Sequence, residues 1–119
     1  MMRIYLMLSF LIALMAFTVN NPLVGKWETK PSEYGDVTGV VFKANNEFES
    51  YRNNTPYISG IYTVKGKVLE IIDNGCGFES GTYEFIFFAN SDSLRFKAIE
   101  DVCERRKNAI ESTILGRVK

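Results

Sequence analysis

From Leu23 onward, short runs rich in Val, Ile, Phe, Tyr and Thr are interrupted by Gly, Asn, Asp and Ser clusters. The interruptions fall roughly every ten residues, the rhythm of an all-β chain. Strands are predicted at 24–30, 36–43, 47–52, 58–64, 68–73, 81–89, 94–99 and 112–118. Alternation assigns their faces. Leu94, Phe96 and Ala98 alternate with Arg95 and Lys97, so the apolar set points inward. Glu84 turns Thr82, Ile86 and Phe88 outward and leaves Tyr83, Phe85 and Phe87 inside. Glu70 likewise places Leu69 and Ile71 inside, with Val68 and Ile72 outside. If their strands are neighbours, Ile72, Ile86 and Phe88 form an exterior apolar patch that a helix or a partner has to cover.

Ala44-Asn45-Asn46 and Lys65-Gly66-Lys67 are tight hairpin signals, and Asn90-Ser91-Asp92-Ser93 is a longer one. The strand period breaks once. Asp101-Val102-Cys103-Glu104 has the D-x-x-E form of a helix start, followed by a short helix to Ile110 with Val102, Arg106, Ala109 and Ile110 on one side. About eight antiparallel strands kept flat leave two open edges, and closure removes them. The expected fold is therefore all-β: a closed or nearly closed up-and-down antiparallel barrel of about eight strands, with one short helix before the last strand.

The first residues follow a different pattern. Arg3 precedes an apolar run from Ile4 to Phe17. That run is shorter than the roughly 20 residues a transmembrane helix needs, so residues 1–18 read as a secretory leader, with an uncleaved membrane anchor as the alternative. Residues 19–119 then form the barrel domain in a secreted or periplasmic setting. There Cys76 and Cys103 are expected to pair, stabilising the fold by about 3.5 kcal/mol in the chain-entropy model. Charge and histidine content narrow the function. The chain has 14 basic and 14 acidic residues, and Arg3 alone of these lies in the leader, leaving 13 against 14. Such a balance gives no basic excess for nucleic acid. The chain also has 0 histidines, which excludes Ser-His-Asp and Cys-His nucleophile pairs and His-based metal sites. Asp73-Asn74-Gly75 with Glu79 lacks the spacing of a calcium loop. No catalytic constellation, metal site or cofactor is expected, and the chain is read as a binding protein and not an enzyme.

Leu23-Val24-Gly25-Lys26-Trp27-Glu28 resembles the Gly-x-Trp opening of the lipocalin and fatty-acid-binding (calycin) group. The resemblance implies that Trp27 closes one barrel end, beside Gly25, with Arg117 from the last strand packed over its indole. The order Phe42 to Phe48, Gly60-Ile61-Tyr62, Cys76, Tyr83-Glu84-Phe85 and Asp101-Val102-Cys103-Glu104-Arg105 is similar to small secreted lipocalin-like domains. Two departures matter: the chain is shorter than a typical lipocalin, and Asn45-Asn46-Glu47 lacks the usual hairpin glycine.

Two binding modes follow. Phe48, Tyr62, Tyr83, Phe85, Phe87 and Phe96 either fill the barrel or line a pocket for a small apolar or amphipathic ligand. Short length favours filling, because so few residues offset their chain entropy poorly around empty space. The alternative is a protein-binding module, or an inhibitor of an extracytoplasmic enzyme, acting through Tyr34, Tyr51 and Tyr57 in or beside loops.

Overall fold

A computed structural model describes residues 21–119; the leader assigned to residues 1–18 lies outside them. Eight antiparallel strands close into a barrel in chain order: β1 (Gly25–Glu28), β2 (Thr38–Phe42), β3 (Glu47–Arg52), β4 (Thr55–Lys65), β5 (Val68–Asp73), β6 (Ser80–Phe88), β7 (Ser93–Asp101) and β8 (Ile114–Arg117). The closing seam is short, with Trp27 opposite Arg117 and Glu28 opposite Gly116. Helix α1 (Glu104–Glu111) connects β7 to β8.

Asparagine sets two of the turns. Asn46 takes a φ of 67°, supplying a left-handed residue in a hairpin that has no glycine. Asn53 and Asn54 both have positive φ, so they form a two-residue turn and β4 begins at Thr55 instead of residue 58. Pro56 sits at the register shift between Ser50 and Tyr51, on the part of β4 that pairs with β3 but lies beyond the β5 pairing. A missing N–H costs nothing there.

The predicted inner faces of β5, β6 and β7 form the core. Leu69, Ile71, Tyr83, Phe85, Leu94 and Phe96 are buried, with Phe87 and Ala98 packed against them. The expected outer patch does not form. Val68 pairs with Glu84, so Ile86 lies past the end of β5, and Ile72 pairs with Ser80 and with Ile61 of β4. Ile86 instead pairs with Arg95. Nor does α1 cover the outer wall, because it spans one end of the barrel.

That helix starts later than the D-x-x-E signal implies. Cys103 is its N-cap and makes no side-chain capping bond, while Asp101 ends β7 and turns its carboxylate to other partners. Val102 is 69% exposed and not part of a packed stripe, and Ile110 makes the apolar contact with the core. Cys76 and Cys103 form a disulfide that ties the β5–β6 connection to the base of α1. Replacing Cys76 by Ser is expected to lower unfolding free energy by about 2–5 kcal/mol. Urea unfolding with and without reductant checks this: reductant should destabilise the wild type and leave the variant unchanged.

Candidate functional site

The two ends of the barrel differ. At one end the chain entering β1 folds under the strands, and Trp27 Nε1 donates to the Leu23 carbonyl at 2.9 Å. The Arg117 guanidinium lies over the indole at 4.2 Å, and Phe87 meets the same ring at 5.9 Å. A cation over indole contributes about 0.5–2 kcal/mol and also covers apolar surface. Gly25 lies beside Arg117 with a φ of 134°, a conformation that side chains rarely adopt. Tyr62 belongs to this end as well. Its hydroxyl donates to the Lys43 carbonyl at 2.6 Å and accepts from Asn21 Nδ2 at 3.0 Å. This half of the barrel is solid.

The other half holds a cavity of about 350 Å³. Its floor is apolar, formed by Val40, Phe42, Phe48, Leu69, Ile71, Phe96 and Leu115, all buried. Phe42 is the partition, because its ring meets Tyr62 of the solid half at 5.0 Å and Phe48 of the cavity wall at 6.3 Å. Thr29, Thr38, Ser50, Ser112 and Thr113 add hydroxyls, and Ala109 and Ile110 of α1 form the roof. The expectation of a filled barrel is thus corrected. Trp27, Tyr62 and Phe87 fill the plugged end, whereas at the other end the side chains of the strands, three phenylalanines among them, leave space beneath α1. Of the six inward aromatics, Phe48 and Phe96 line the cavity, whereas Tyr62, Tyr83, Phe85 and Phe87 do not.

The roof is held by a buried ionic cluster. Arg106 Nε and Nη2 donate to Asp101 Oδ2 and Oδ1 at 2.7 and 2.8 Å, and Nη1 donates to Asp73 Oδ2 at 3.2 Å. Asp101 also accepts from the Tyr83 hydroxyl and from the Cys103 N–H, and Asp73 accepts from the Gly75 N–H. The side chains of Arg106, Asp73 and Asp101 are 6%, 3% and 0% exposed. Gly81 faces the cluster, where a β-carbon would run into Asp101 and Arg106. Among the described residues, buried side-chain polar atoms all have partners. Burial is the largest influence on the Asp101 carboxyl and pushes it up. Hydrogen bonds from Arg106, Tyr83 and the Cys103 N–H together outweigh it and hold the carboxyl below its ordinary value. The Arg106 guanidinium is pushed up, first by its hydrogen bond to Asp101. Burial, then the bond to Asp101, pushes the Tyr83 phenol up. Arg106 occupies the space between the two carboxylates, and no group of three metal-ligating side chains converges among the described residues.

This cluster is what the sequence reading misses, although signals for it exist. Asp73 continues the inward period of Leu69 and Ile71, and Arg106 is the lone charge on the apolar side of its helix. An inward acid and an inward base are natural partners. The three tyrosines assigned to a recognition rim separate. Tyr51 is a correction: it lies in β3, 5% exposed, opposite Gly39, with its ring where a side chain at position 39 would stand. Its hydroxyl donates to Glu28 Oε2 at 2.7 Å, and Lys26 Nζ lies 5.1 Å from its ring centre. A tyrosine covering a strand glycine is structural and not free to meet a partner. Tyr57 lies in β4 and not in a loop; it borders the cavity and is exposed, and Tyr34 is exposed in the β1–β2 loop.

These features define a class: a closed eight-stranded up-and-down barrel with one plugged end and one end roofed by a helix. Within it, the chain is similar in fold to the NMR structure of a protein from Bacteroides uniformis ATCC 8492, with a TM-score of 0.55 and 19% identity, covering 82% of this chain and 90% of that one. No protein-family model and no curated protein matches the chain.

The cluster makes two predictions. Arg106→Met leaves two buried carboxylates without their cation, and stability should drop by about 3–5 kcal/mol in urea unfolding. Arg106→Lys should recover little of it, since a lysine ammonium cannot reproduce the forked contacts. Separately, Asp101 binds a proton less readily folded than unfolded. Its stabilising contribution is complete above the ordinary value of 3.8 and is lost as pH falls through the lower folded value. The urea midpoint of the wild type should therefore fall as pH drops below about 4, and Asp101→Asn should show a shallower fall from a lower starting point.

Proposed function

We propose that the chain is a lipocalin-like barrel of a secreted or periplasmic setting that takes one small apolar or amphipathic molecule into the cavity at its open end. The observation that carries this reading is the cavity of about 350 Å³ with a buried apolar floor. It falls at the small end of the range for ligand sites, about 300–1,000 Å³. The disulfide supports the setting, and the packing of Arg117 over Trp27 supports the lipocalin-like resemblance. A binding role rather than catalysis is supported by the absence of histidine and by the engagement of Asp73 and Asp101 with Arg106.

Size sets the ligand. At about 30 Å³ per water-sized group, the space holds roughly a dozen non-hydrogen atoms. Burying about 250 Å² of apolar ligand surface gains roughly 6 kcal/mol before association costs are subtracted. Affinity then lies in the micromolar-to-millimolar range. The alternative, a protein-binding module or enzyme inhibitor, draws on exposed Tyr34 and Tyr57 at the same end, without Tyr51. Thermal-shift screening and native mass spectrometry of protein purified from its own host test the ligand reading. Val40→Trp places an indole in the cavity, and it should abolish any ligand-induced shift while keeping the melting temperature near the wild-type value. A shift that persists in this variant would place the ligand elsewhere.

A further inference from the structure

Among the described residues, those that line the cavity carry no charge. Its floor is hydrocarbon, its polar side chains carry hydroxyls, and neither Lys, Arg, Asp nor Glu is among them. Arg52 borders an adjoining groove that shares Thr38 and Tyr57 with the cavity, and it pairs with Asp36 at 2.9 Å. Arg106 sits one helical turn before the roof residues Ala109 and Ile110, on the same side of α1, and Asp73 and Asp101 take its Nε, Nη1 and Nη2. Arg117 is over Trp27 at the opposite end. Asp73 and Asp101 are both engaged by the Arg106 guanidinium, and a second one, that of Arg105, donates to the neighbouring Gly75 carbonyl. A carboxylate or phosphate head drawn into the cavity would meet no cation among the described residues that line it. Burying an unpaired ion is costly.

The rim hydroxyls suit a neutral head. Ser112 Oγ and Thr113 Oγ1 already donate to the Ala109 carbonyl at 3.1 and 2.5 Å, so they offer lone pairs. Thr29 Oγ1 accepts from the Thr38 N–H at 3.1 Å and keeps its own proton to donate. Acceptors and a donor stand around one opening, which is what an alcohol or an amide can pair with.

We infer that the cavity selects uncharged amphiphiles, compounds of roughly a dozen non-hydrogen atoms with an apolar body on the Val40–Phe96 floor and a hydroxyl or amide head among Thr29, Ser112 and Thr113, and that it rejects fatty carboxylates of the same length. The inference rests on the ligand reading above and specifies its chemistry.

The test is a matched series of decanol, decanamide, decanoate and decylammonium, titrated at neutral pH into the disulfide-bonded protein and into Val40→Trp, with binding read by native mass spectrometry and by competition for a neutral solvatochromic dye. The alcohol and amide should bind at least about tenfold more tightly than decanoate, the minimum expected from burying an unpaired charge, and Val40→Trp should lose them. Thr113→Val, which removes a rim acceptor and keeps the side-chain shape, should weaken the alcohol and amide and leave decane unaffected. Decanoate or decylammonium binding as tightly as decanol in the wild type, and lost in Val40→Trp, would overturn the selectivity while leaving the cavity as the site. Binding of the series that is unchanged in Val40→Trp, or no binding by any member, would overturn both.

Discussion

Arg106 and its two carboxylates are the constraint around which the open end of this barrel is arranged. A short helix with one half-buried apolar contact, Ile110, would not by itself stay across the mouth of a barrel. Three hydrogen bonds from the guanidinium to Asp73 at the end of β5 and Asp101 at the end of β7 hold it there. The disulfide from Cys103 to Cys76 and the contact of Arg105 with the Gly75 carbonyl tie the helix to the β5–β6 connection. The roof of the cavity, formed by Ala109 and Ile110, is where it is because these anchors lie at the base of the same helix.

The opposite end is closed by different chemistry. Trp27, Phe87, Leu23 and Leu94 pack with the Arg117 guanidinium as a cover, and Asn21 reaches Tyr62 from the entering chain. Placing the largest side chains at one end has a consequence for the other. A barrel of eight strands has an interior of roughly fixed width, so a half lined by Val40, Leu69, Ile71 and Leu115 beside three phenylalanines is less completely filled than one holding Trp27, Tyr62 and Phe87. Space for a ligand and stability from dense packing therefore coexist in a small chain by being separated along the axis.

Much of this was legible in the residues themselves. Strands β3 and β5 have the predicted limits, and the in-out assignment along β5, β6 and β7 is reproduced by burial, because one charged residue per strand is enough to choose the solvent face. Errors came where local signals have two meanings. Asn53-Asn54 reads as loop but also tolerates the left-handed pair of a tight turn. Asp101 has the spacing of a cap, yet its carboxylate goes to a buried arginine that only the fold brings near. Tyr51, a tyrosine flanked by polar residues, looks like surface until Gly39 is found across the strand pair with room for its ring.

By itself the sequence determined the fold class, the strand faces and the pairing of its two cysteines, because alternation, turn chemistry and a single possible partner are local or combinatorial facts. The tertiary structure decided which inward aromatics share an end, whether the interior is full, and what Arg106 and Tyr51 touch. Those outcomes depend on register between strands and on where a connection crosses the barrel mouth. A shift of two residues in either would preserve every local pattern and move every one of these contacts.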